Sequence, residues 1–205
     1  FVVDASDIPS SLKKAVTVTL TGEWDSDAFN LLSMALGNNG GLFVTTNATL
    51  VTLDMSRIKV AENTPLWRQG LKEYGIFNNC TALEKVIMPT AEEAGHFTKL
   101  NKAFEGCTAL RDIDLSLLTG ATDIEAAFKG TAIEKADLSG CTSLGSTVSA
   151  FEGCAALQEV ILPSCFVPAN YTFADCTGLK LIDYTAYTDT EDAPAVKNNT
   201  FSGID

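Results

Sequence analysis

One phrase recurs along this chain: an aromatic, a Gly or Asn, a Cys, a Leu, and then a short alternating apolar run. "IFNNCTALEKVIMP" (76–89), "AFEGCTALRDIDLS" (103–116), "AFEGCAALQEVILP" (150–163) and "TFADCTGLKLIDYT" (172–185) are versions of it. Counted on the aromatic, Phe77, Phe104, Phe128, Phe151, Phe173 and Phe201 lie 27, 24, 23, 22 and 28 residues apart. A period of about 20–50 residues marks stacked repeats, none of which buries its apolar edge alone. After each Leu or Ile, pairs such as Val86/Met88, Ile113/Leu115, Ala136/Leu138, Val160/Leu162 and Ile182/Tyr184 alternate with polar residues, which is strand patterning with the named residues inward. Before the aromatic, Leu100 with Phe104 and Ile124 with Phe128 stand four apart, as on one face of a helical turn. Gly106, Gly130 and Gly153 follow the aromatic where a left-handed residue turns the chain. The expected fold is an α/β solenoid: a right-handed superhelix of about six strands in a parallel ladder on one face, with short helices and turns on the other.

Residues 1–70 read as an entry segment. "AVTVTLTG" alternates as a strand, Phe29, Leu32 and Leu36 have helical spacing behind a possible N-cap at Ser26, and Leu50, Leu53 and Met55 match a repeat strand. The segment is expected to form an N-terminal α/β cap merging into a first degenerate repeat, with an independent small domain as the alternative. Trp67 is expected in the core, packing a helix against the first repeat of the 71–205 array.

The unit F-x-G-C-x-x-L-x-x-I-x-L-P/S, over about residues 71–203, resembles the BspA-type leucine-rich repeats of secreted and surface-anchored bacterial proteins, as in Bacteroides and Treponema. Two units depart from it: "FKGTAIEKADLS" is one residue short and lacks the Cys, and the "TFSG" unit stops before any strand. The resemblance implies a leucine-rich repeat fold, an extracellular or cell-surface location, and adhesion to host or bacterial macromolecules.

Charge narrows the partners. With 14 Lys plus Arg against 26 Asp plus Glu, a net charge of −12 repels nucleic acid and anionic lipid. No apolar run reaches the roughly 20 residues that span a bilayer, so no membrane insertion is expected. Cys80, Cys107, Cys154 and Cys176 share one repeat position and read as a buried column, with disulfides between adjacent coils as the competitor; Cys141 and Cys165 lie elsewhere. The single His96 has no nucleophile motif beside it, so neither catalysis nor a cofactor is expected. "YTDTEDAPAV" (187–196) lacks the ligand spacing of a calcium loop and reads as a solvated acidic loop.

The remaining candidate is the outward row of the ladder: Asp54, Ile87, Asp114, Asp137, Ile161 and Asp183. Asp114 and Asp137 on neighbouring strands would stand about 5 Å apart and repel unless a cationic group meets them. Asp112 and Lys135 in a parallel outward row would partly offset that charge. The competing reading makes these aspartates ordinary solvated residues of "DLS" units. Two function classes follow: a non-enzymatic module binding an extracellular protein or glycoprotein through this row, or a structural spacer that binds nothing strongly.

Overall fold

The computed structural model describes residues 1–37, 49–68, 74–185 and 199–204, leaving the acidic loop at 187–196 outside. Its first strand, β1 (Val2–Asp4), pairs in parallel with β2 (Thr17–Trp24), which pairs in parallel with β3 (Thr52–Val60). Alternation in β2 buries Val18 and Leu20, and Trp24 at its end packs with ring centroids 5.1 Å apart and a 49° tilt against Phe29 of helix α1 (Ser26–Ala35). The helix is capped by Asp25 rather than Ser26: Asp25 keeps extended backbone and its carboxylate accepts the Ala28 N–H at 2.9 Å. Trp67 also departs from expectation. It lies half-buried in β4 (Trp67–Arg68), antiparallel to β5 (Tyr74–Gly75), and not on a helix.

The entry segment and the repeats share a sheet, since β3 pairs in parallel with β6 (Lys85–Ile87) through Thr52–Lys85, Leu53–Val86 and Asp54–Ile87. Beyond a four-residue helix α2 (Ala91–Ala94) and a 3₁₀ turn at Leu115–Leu117, a second parallel sheet follows the order β7 (Lys135–Asp137), β8 (Glu159–Ile161), β9 (Leu181–Asp183). Their middle residues Val86, Ala136 and Val160 are buried, as the alternation requires. Tyr184 departs furthest at 66% exposed, with no described strand after β9 to cover it, and Ile113 and Ile182 are half-buried.

The stretch before each aromatic, where the spacing suggests a short helix or 3₁₀ turn, is a non-helical turn. Leu100, Phe104, Ile124 and Phe128 all point into the core, but their backbone hydrogen bonds run to the next repeat. Phe104 N–H donates to Ala127 O, Phe128 N–H to Ala150 O and Phe151 N–H to Thr172 O, each at 2.9 Å. Lys102, Ala126, Ser149 and Tyr171, two places before the aromatic, hold φ of 57°, 51°, 54° and 60°, which breaks any helical continuation. Two places after the aromatic the backbone turns left-handed again, at Gly106 (φ 73°), Gly130 (71°) and Gly153 (75°), as their position implied.

This arrangement stacks the aromatics. Successive rings Phe77, Phe104, Phe128, Phe151, Phe173 and Phe201 lie 5.3, 5.8, 5.4, 5.6 and 5.6 Å apart and within 15° of parallel. Offset stacking at that spacing adds roughly 0.5–1.5 kcal/mol per pair to the burial of each ring.

Candidate interaction surface

The outward row is interrupted in the middle. Each strand begins eight residues after its aromatic at Lys85, Glu159 and Leu181, and Asp112 keeps that spacing, but Lys135 follows Phe128 by seven. In the 104 unit, Arg111 and Asp112 both donate to Glu84 O at 3.1 Å, and Lys85 bridges to Asp112. In the short unit only Ala132 N–H reaches back, to Leu110 O at 2.9 Å, and no ladder pairing among the described residues joins β7 to residues 112–114. The missing residue therefore divides the ladder in two. Between the halves opens a cleft of about 490 Å³ whose walls include Arg111, Asp112, Asp114, Glu134, Lys135 and Asp137. Asp114 and Asp137 are thus not partners on adjacent paired strands; they line a shared cleft.

The rest of the row follows register. Asp54 sits beside Ile87, and Asp137, Ile161 and Asp183 stand in line across β7, β8 and β9. Ile87 and Ile161 are half-buried between the carboxylates. In the neighbouring row Lys85 Nζ meets Asp112 Oδ2 at 2.6 Å and Lys135 Nζ meets Glu159 Oε1 at 2.8 Å. The hydrogen bond that Lys135 donates to Glu159 is the main reason its ammonium is held above its ordinary range. Asp54, Asp114, Asp137 and Asp183 form no ion pair among the described residues.

The aspartates also perform a local task. In D-x-S or D-x-T, Oδ1 accepts the N–H of the residue two ahead at 2.9–3.1 Å, in Asp4, Asp54, Asp114, Asp137 and Asp183 alike. The serine hydroxyl adds a bond of 2.6–2.7 Å in the first four. One oxygen thus closes the turn after β1, β7 and β9, caps the 3₁₀ turn at Asp114 and braces β3 from within at Asp54, and Oδ2 stays available in Asp54, Asp114 and Asp137. These bonds hold the carboxyls of Asp4, through Ser6, and Asp183, through Thr185, below the usual range. Asp4 escaped notice in the sequence, where the D-x-S pattern at 4–6 was the available signal. Asp137→Ala is expected to lower unfolding stability by about 0.5–1.5 kcal/mol, while Asp137→Asn, which keeps an acceptor, stays near the parent. Urea unfolding of the pair measures this.

The sequence matches the BspA type leucine rich repeat region in six copies, over residues 72–203. The chain belongs to that family. Among solved structures it is similar to a leucine-rich repeat protein from Bacteroides ovatus, with 18% identity, a TM-score of 0.43, and 98% of this chain aligned to 52% of that one. It therefore spans about half of that protein's length. No curated protein matches it.

The Cys of the BspA-type unit is packing. All six cysteines are free, and Cys80, Cys107, Cys154 and Cys176 form the expected buried column. Thiols of Cys107, Cys154 and Cys176 donate to Phe77, Phe128 and Phe151 carbonyls at 3.0–3.1 Å. In the unit without Cys, Thr131 fills the column and its hydroxyl donates to Phe128 O at 2.8 Å. Burial pushes the Cys80 and Cys176 thiols up to about 12, so they stay protonated and unreactive near neutral pH. His96 is half-buried rather than on the open surface: its Nδ1 donates to Val60 O at 2.6 Å, and Glu93 Oε2 accepts the Val60 N–H. Together they tie α2 to the end of β3. Among the described residues no group of three or more His, Cys, Asp or Glu is placed to hold a metal, and no helix is long and apolar enough to cross a membrane.

Proposed function

We propose that this chain is a non-enzymatic, surface-exposed or secreted binding module that holds an extracellular protein or glycoprotein on the outward face of its ladder. In this reading the repeats form a right-handed solenoid, closed at one end by residues 1–70, where the Asp7 N–H donates to Asp4 O at the last residue of β1. The supporting observation is the charge balance of the two outward rows. Lys85 and Lys135 of one row are ion-paired with Asp112 and Glu159, and although Lys135 also attracts Asp137 and Asp183, none of Asp54, Asp114, Asp137 and Asp183 forms an ion pair among the described residues beside Ile87 and Ile161. A lysine- or arginine-bearing protein surface complements that row, and repeat proteins as a class present extended surfaces for such contacts.

The test is a binding screen against matrix glycoproteins, mucins and bacterial polysaccharides at two salt concentrations. Asp114→Asn with Asp137→Asn removes both charges and keeps both turns. Saturable binding to a protein or glycoprotein, weakened by salt and reduced at least about tenfold in the double variant, is expected. Binding unaffected by the variant rules out this face, and no binding across the panel favours a spacer.

A further inference from the structure

Two cysteines outside the buried column lie together on successive repeats. Cys141 follows β7 and Cys165 follows β8, and Cys165 Sγ reaches 3.1 Å from the Cys141 carbonyl oxygen. The column thiols of Cys107, Cys154 and Cys176 donate instead to the carbonyls of Phe77, Phe128 and Phe151, each three residues before the column member of the preceding repeat. Cys165 is half-buried where the other five are buried, so it is the thiol of this pair that solvent reaches first. A sulfur this close to its neighbour's carbonyl sets the two residues side by side on adjacent turns. Asp137 and Ile161 are paired in β7 and β8, and Cys141 and Cys165 each stand four residues past them, on turns whose spacing of about 4.8 Å falls in the Cα range of about 4.4–6.8 Å that a bridge spans.

We propose that Cys141 and Cys165 form an oxidisable dithiol, closed to an inter-repeat disulfide by a low-molecular-weight disulfide that enters at Cys165. The Cys165 thiol loses its proton to solvent, and its sulfur attacks the small disulfide, forming a mixed disulfide and releasing one small thiol. The Cys141 thiol then loses its proton and displaces the second small thiol. Two protein thiols are oxidised to one disulfide and one small disulfide is reduced to two thiols. Burial pushes the Cys141 thiol up to about 12, so the second displacement is the slow one. Column cysteines are shielded, and the bridge joins the loops behind β7 and β8 without touching the outward row.

Native protein treated with oxidised glutathione, then alkylated, digested and mass-analysed, tests this. The expected product has lost two hydrogens and yields a linked peptide joining Cys141 to Cys165. Cys141→Ala is expected to stop at a glutathione adduct on Cys165, and Cys165→Ser to remain unmodified. Circular dichroism establishes that both variants are folded. The oxidised protein is also expected to unfold at higher urea than the reduced one. A lasting mixed disulfide in the unchanged chain, a linked peptide between any other pair, or no reaction overturns the assignment.

Discussion

Phe128→Ala is expected to destabilise the protein by about 3–5 kcal/mol, the range for emptying a fully buried aromatic site. Phe128 is 0% exposed and stacks on Phe104 at 5.8 Å and on Phe151 at 5.4 Å, so the substitution removes one ring and strips a face from two others. The surrounding backbone has little freedom to close the void. Phe128 N–H is bonded to Ala150 O and Phe104 N–H to Ala127 O, which fixes the spacing of the turns on both sides. Phe201→Ala offers the comparison: its ring is half-buried, stacks on Phe173, and has no described ring beyond it, so a smaller loss is expected. Urea unfolding followed by circular dichroism reads both. A loss under about 0.5 kcal/mol for Phe128→Ala, the surface range, would contradict the stacked column.

Gly120→Ala is expected to cost about 3 kcal/mol or more, although it adds a single methyl. A Cβ there would stand 1.8 Å from Gly95 O and 2.9 Å from Gly95 C, which are backbone atoms of the neighbouring turn and cannot swing aside. Gly130→Ala is the control. It has nothing within 4 Å of the added Cβ and a φ of +71°, so the left-handed backbone sets its cost at about 1–2 kcal/mol. Ala126 and Ser149 already occupy left-handed positions in the same repeats, with φ of 51° and 54°. The two variants separate close approach from backbone conformation, and equal unfolding midpoints would show that the turns are not pressed together at Gly95 and Gly120.

The sequence made the repeat legible because the positions that meet in the core are filled by residues with few alternatives. Phe, Cys, Leu and the two alternating strand residues recur at fixed offsets, and in the array all of them but Ile113, Leu179, Ile182, Tyr184 and Phe201 are buried. Local periodicity failed where two conformations satisfy it. Leu100 and Phe104 face inward equally well from a helical turn or from the looped turn observed, and only the destination of the Phe104 N–H, in another repeat, decides between them. That bond is invisible at short range in sequence. The candidate surface was half legible: the Asp and Ile residues were placed on one outward row, and the short unit was visible as a missing residue. Its consequence, a ladder broken between Asp112 and Lys135, depends on pairing across repeats. The dual use of each Asp, one oxygen on its own turn and one outward, was encoded in D-x-S and D-x-T.

The cleft beside the broken ladder is where a partner is expected to sit, and amide hydrogen exchange measures that most directly. The strongest protein or glycoprotein binder from the screen is added at saturation, and exchange is followed along the whole chain. Slowed exchange in residues 111–115 and 134–137, extending along the row to 159–161, is the expected result. Protection confined to the turns around Lys102, Ala126 and Ser149, with the strand face unchanged, would contradict binding on the outward row.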